Sequence, residues 1–132
     1  FDYSNMLSGM IIKYENTGGA HPNTIKTGFT YDKTTGKEML LPDIMVGTQT
    51  EIQERIITNF HAFIDKNADN FFEDAKTTIE KEIDHVEFYM AADGIHFFFQ
   101  LYDIAPYAAG FQEIVIPYAE NVTTYVPANT NK

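Results

Sequence analysis

Residues 86–101 read Val86-Glu87-Phe88-Tyr89-Met90-Ala91-Ala92-Asp93-Gly94-Ile95-His96-Phe97-Phe98-Phe99-Gln100-Leu101. Two runs of β-branched and aromatic residues flank an Asp-Gly step, which is a strong short-range signal for a β-hairpin. Downstream, Phe111-Gln112-Glu113-Ile114-Val115-Ile116 alternates as a further strand. Pro117 has no N–H to give to a ladder, so it ends that strand or sets it at a sheet edge. Upstream of the hairpin the period changes from two to helical.

Thr48 with Glu51 three residues on fits a capping box, and Ile52, Ile56, Ile57, Phe60, Phe63 and Ile64 recur at helical spacing. The stripe is core rather than a cofactor groove. A second helix is expected from Asn70, with Phe72, Ala75, Ile79 and Ile83 on its buried side. Nearer the start, residues 6–16 and 24–31 read as two strands joined through Thr17-Gly18-Gly19, with Pro22 stiffening the exit. Strands, then helices, then strands point to an α+β fold. The expectation is an antiparallel β-sheet with two helices, about 48–65 and 70–84, inserted between N-terminal and C-terminal strands and packed on one face. Residues 1–120 form one α+β domain in this reading, and residues 121–132 a polar C-terminal tail.

Eleven Phe and eight Tyr among 132 residues supply a dense core and leave aromatic surface. The absence of Cys removes disulfide scaffolds, thiol nucleophiles and Cys-based zinc sites. A net charge of −10 disfavours nucleic acid and anionic membrane; a solvated acidic surface explains it by itself, and a basic partner is the other reading. No apolar run approaches the roughly 20 residues that span a bilayer. Beginning at Phe1 rather than Met, the chain reads as a processed or excised form.

Catalytic signatures are missing from the sequence: no nucleophile elbow, P-loop or dinucleotide fingerprint occurs. Asp65, Asn67 and Asp69 copy the first ligand positions of an EF-hand loop, but Asn70 stands where the turn needs Gly and Lys76 where a bidentate Glu closes the shell. An inter-helix loop explains the same residues, and no metal or cofactor is expected. His61, His85 and His96 lack a compact metal spacing and read as structural or exposed. Glu73-Asp74 and Glu80 with Asp84 read as a solvated helix face. His21 sits in a Gly-rich loop, where it either locks the turn or meets a ligand. The run Ala105-Pro106-Tyr107-Ala108-Ala109-Gly110 suits presenting Tyr107 to a partner at low entropic cost, or packs that ring back on the sheet. The candidate binding residues are therefore His21, Pro22, Tyr102, Pro106 and Tyr107.

Three ordered motifs carry a family resemblance: Gly18-Gly19-Ala20-His21, then Tyr31-Asp32 with Thr35-Gly36-Lys37, then Asp93-Gly94-Ile95 with Tyr102-Asp103-Ile104-Ala105-Pro106-Tyr107-Ala108-Ala109-Gly110. Together they resemble a bacterial extracytoplasmic domain of unknown function, over about residues 10–118. That domain occurs at the C-terminus of lysozyme-sensing anti-sigma factors and beside the catalytic domain of some secreted polysaccharide deacetylases. The resemblance implies an α+β domain and a non-catalytic binding module of the cell envelope, secreted or anchored through a segment absent from this chain. It implies lysozyme or another envelope protein as partner. The alternative is a peptidoglycan- or glycan-binding domain accessory to a cell-wall enzyme.

Overall fold

A computed structural model of the protein describes residues 2–3, 5–15, 18 and 23–122. The fold is α+β, with antiparallel strands before and after the helices as the pattern requires. The strands make two sheets instead of one. The first orders β1 (Asp2–Tyr3), β2 (Met6–Glu15) and β3 (Asn23–Asp32) with β2 central; the second orders β4 (Glu87–Ala91), β5 (Gly94–Phe98) and β6 (Glu113–Ile116) with β5 central.

The division has a physical cause where β3 meets β4. A Cβ on Gly28 would lie 1.8 Å from the Phe88 carbonyl oxygen, so the two backbones touch without forming a ladder. Side chains take the place of a neighbouring strand. Gly28 N donates to Glu87 Oε1 at 2.9 Å, Lys26 N to Gln100 Oε1 at 3.0 Å, and Gln100 Nε2 to Lys26 O at 2.7 Å. Ser8 of β2 adds a buried link, donating to Phe29 O at 2.8 Å and accepting from Met90 N at 2.8 Å. Farther from this crossing the β2–β3 ribbon projects, and Ile11, Ile12 and Tyr14 are each more than half exposed.

Between the sheets in sequence lie α1 (Leu41–Ile44), α2 (Gln49–Lys66) and α3 (Ala75–Lys81). The capping box forms at the start of α2: Glu51 N donates to Thr48 Oγ1 at 3.1 Å and Thr48 N to Glu51 Oε1 at 2.8 Å. Ile52, Ile56, Phe60 and Ile64 are its buried face, and Phe60 meets Phe99 at 5.3 Å between ring centroids. Each such side chain contributes about 1.5–3 kcal/mol by leaving water. On β5, Ile95 and Phe97 share this helix-facing side with Phe88, Met90, Ile114 and Ile116 through the strand register. By alternation His96 and Phe98 face the other way.

The second helix is shorter than its spacing predicts, seven residues flanked by 3-10 turns at Ala68–Asn70 and Ile83–His85. Phe71 and Phe72 are the reason. Phe71 is buried edge-on against Phe63 at 5.8 Å, and Phe72 N donates to Ile104 O at 3.1 Å, which holds the backbone there out of helical geometry. At the other end of the domain, Tyr118 donates its hydroxyl to Ala91 O, and Val122 is buried beside Met45. Residues 123–132 of the expected tail lie outside the described residues. Among the described residues no helix is long and apolar enough to cross a membrane.

Two substitutions separate these contributions. Gly28→Ala drives a methyl into a backbone carbonyl that cannot turn aside, and urea denaturation should show a loss of about 3 kcal/mol or more, at the top of the range for overpacking. Thr48→Ala removes only the cap and should cost about 1 kcal/mol in the same measurement.

Candidate functional site

Residues 99–112 connect β5 to β6 and carry three of the five candidate binding residues. Tyr102 has φ +71°, in the left-handed region that bulky side chains avoid, and the residue is 53% exposed. The ring centre lies 5.5 Å from that of Tyr107, tilted by 43°. Pro106 is exposed, and its extended backbone opens the 3-10 turn Tyr107–Ala109. Tyr107 is half-buried, so the two rings divide the work: Tyr107 lies inward and Tyr102 stands outermost against it. The sequence left open whether Tyr107 is presented or packs back, and of the two rings Tyr102 is the more exposed. His21 and Pro22 lie outside the described residues.

Beside the tyrosine pair is a cleft of about 310 Å³ lined by Thr78, Lys81, Glu82, Tyr102 and Asp103. Asp103 Oδ2 accepts from Gln100 N at 3.0 Å. Burial holds the Asp103 carboxyl above its usual range, outweighing that hydrogen bond, and the charge of Glu82 adds to the rise. An approaching cation would favour the ionised carboxylate against both effects. A second cleft, about 300 Å³, has mostly apolar walls that include Leu40, Ile52, Ile83 and Phe88, and Gln53 on its wall donates to Asp84 at 2.7 Å.

A polar cluster that the sequence reading did not single out lies on the face of the second sheet away from α2. Glu113 of β6 is its centre: Oε1 accepts from Lys26 Nζ at 2.6 Å, and Oε2 accepts from Tyr89 Oη at 2.8 Å and contacts His96 Nδ1 at 2.7 Å. His96 Nε2 in turn lies 2.7 Å from Asp93 Oδ1. The Lys26 ammonium is also 4.3 Å from the Phe98 ring centre and 5.3 Å from that of Phe111, favourable positions for a cation over aromatic faces. Lys26 is 6% exposed, so this charge is desolvated and depends on its partners. The available sequence signals were charged residues at alternating strand positions: Glu113 one residue from Ile114, and Lys26 one residue from Ile25. Each member of the cluster holds another, which makes it a fastener between the ribbon and the second sheet.

The structure also places the other residues considered from sequence. His61 faces Glu80 at 3.3 Å, His85 is exposed, and Lys76 Nζ donates to Asp65 Oδ1 at 2.6 Å. Lys76 stood at the position where a calcium loop needs a carboxylate, and it supplies a cation to that loop instead. Glu73, Asp74, Glu80 and Asp84 are all exposed.

With both His96 nitrogens on carboxylate oxygens, either neutral tautomer leaves one lone pair against an anion. Burial alone would lower the imidazole pKa, but the hydrogen bonds and charges of Asp93 and Glu113 outweigh it and raise the value. A raised folded-state pKa gives stability that is complete below the unfolded value, about 6.5, and is lost as pH rises through the folded one. Unfolding free energy should therefore fall over that interval, and His96→Gln should flatten the fall. Equal slopes for the two proteins would refute this account of the cluster.

Comparison with known proteins gives the family and the fold. Residues 48–119 match the sequence profile of DUF3298, described as a protein of unknown function. No curated protein matches the chain. A DUF3298 family protein from Pseudomonas aeruginosa PAO1 superposes with a TM-score of 0.72 at 20% identity, over 98% of this chain and 60% of that one. A DUF3298 member from Bacteroides fragilis NCTC 9343 superposes with a TM-score of 0.62 at 27% identity, over 92% of this chain and 50% of the other. The chain thus spans about half to three-fifths of the length of these two solved proteins.

Proposed function

Because the chain belongs to the DUF3298 family, whose description leaves function open, we propose from its own surface that it is a non-catalytic protein-binding module that docks a basic partner on the Tyr102–Tyr107 loop. The observation that carries this reading is the exposed Tyr102 ring, backed by Tyr107 and set beside the Glu82–Asp103 cleft. An aromatic anchor on a constrained loop costs little entropy on binding, and aromatic residues of this kind dominate interface energetics. Nearby carboxylates and a net charge of −10 attract a basic protein from a distance.

The partner in this proposal is lysozyme or another basic protein of the bacterial envelope, met in an extracytoplasmic setting, as the family resemblance of the three motifs suggests. The same exposed ring could instead stack on a sugar, which keeps a peptidoglycan-binding role as the second reading.

Titration of the domain with lysozyme distinguishes them. Saturable binding in the low micromolar range is expected, weakening as salt rises from about 50 mM to about 300 mM because the charges are screened. Tyr102→Ala and Tyr107→Ala should each weaken binding about tenfold or more, as loss of an anchor does. No saturable binding removes lysozyme as the partner, and unchanged binding by both variants removes the loop. Retention on purified peptidoglycan without lysozyme affinity selects the glycan reading.

A further inference from the structure

Tyr102 occupies a left-handed conformation that L-residues avoid, so the surrounding structure must hold it there. Two residues earlier, the Gln100 side chain lies on β3 as a paired strand would: Oε1 accepts from Lys26 N at 3.0 Å and Nε2 donates to Lys26 O at 2.7 Å. The backbone of the same residue holds the turn beyond. Gln100 N donates to Asp103 Oδ2 at 3.0 Å, and Gln100 O accepts from Asp103 N at 3.2 Å. Tyr102 lies inside that turn, and its far side is secured where Phe72 N donates to Ile104 O at 3.1 Å. Gln100 therefore touches both the ribbon and the segment that bears the exposed ring.

We infer that Gln100 is the positioning residue of the Tyr102–Tyr107 site, and that the docked β2–β3 ribbon, through the clamp on Lys26, sets the conformation in which Tyr102 is presented. The part that concerns a partner rests on the proposed function; the part that concerns loop geometry does not. The chemistry accounts for glutamine at this position. One planar group must offer a donor and an acceptor at once to a backbone N–H and C=O two atoms apart on the same residue. Ionised glutamate has no donor and would set an anionic oxygen against the Lys26 carbonyl. Methionine has the reach and neither bond.

The test reads the loop directly. In Gln100→Met, the nuclear Overhauser contact between the Tyr102 and Tyr107 rings should be lost, and the Asp103 and Phe72 amides, which donate to Gln100 O and Ile104 O, should exchange about tenfold faster or more, as local opening without global unfolding does. Gln100→Glu should behave like Gln100→Met at about pH 7 and regain the ring contact near pH 4, where a protonated carboxyl again supplies a donor; the wild type followed over the same pH range controls for Asp103, whose carboxyl holds Gln100 N in this turn and is itself raised by burial and by Glu82. This recovery with pH separates positioning from general destabilisation, and it decides the matter if Gln100→Met does not fold. Wild-type ring contact and exchange in Gln100→Met, or no recovery in Gln100→Glu, overturns the inference. Lysozyme binding should weaken at least about fivefold in Gln100→Met, the effect of losing about one hydrogen bond's worth of organisation. If lysozyme fails to bind even the wild type while the ring contact responds as described, the proposed partner falls and the positioning role stands. Equal binding by wild type and Gln100→Met overturns the positioning role at the binding level.

Discussion

The missing side chain of Gly28 is the constraint from which the rest of the architecture follows. Only where β3 carries no Cβ can its backbone lie against the Phe88 carbonyl, and that approach brings Lys26 over the face of the second sheet. Regular pairing between β3 and β4 is given up there. The polar groups left along β3 are met by side chains, Glu87 at Gly28 N and Gln100 at both backbone groups of Lys26. A buried backbone edge left without partners would be costly, so these side chains hold the crossing in place.

The same crossing explains why a lysine tolerates burial. Its ammonium keeps one short bond to Glu113 and lies against the faces of Phe98 and Phe111, while Glu113 is shared with Tyr89 and His96. Burial would raise the Glu113 carboxyl, yet the hydrogen bonds from Lys26, His96 and Tyr89 outweigh it and keep the group ionised. The carboxylate therefore serves β3, β4, β5 and β6 together. Removing Lys26 or Glu113 alone leaves the other charge without its counterpart, which costs more than replacing both.

Much of the fold is legible in the sequence where the signal is local. The Asp93-Gly94 hairpin, the Thr48–Glu51 capping box and the apolar stripe from Ile52 to Ile64 depend on neighbours a few residues apart, and all three are present. The second helix departs from its spacing because Phe71 and Phe72 answer to Phe63 and Ile104, which no periodicity reveals. Two sheets replace one because Gly28 meets a residue sixty positions away; a glycine inside a strand run was the available hint. Tyr102, Pro106 and Tyr107 could be read as a binding loop from composition. The left-handed conformation of Tyr102 could not, since that region belongs mostly to Gly and Asn, and Gln100 as its support emerges only when β3 is in place.

Burial of Lys26 also gives the molecule an internal chemical clock. An amine acylates only as the free base and only when reagent can reach it, so a lysine that is ion-paired, roofed by aromatic rings and 6% exposed must wait for its ribbon to lift. Lys13, whose side chain is 69% exposed on the same ribbon, needs no such event. The ratio of modification at these two sites, followed in one sample, therefore measures how often the ribbon leaves the second sheet in the native protein.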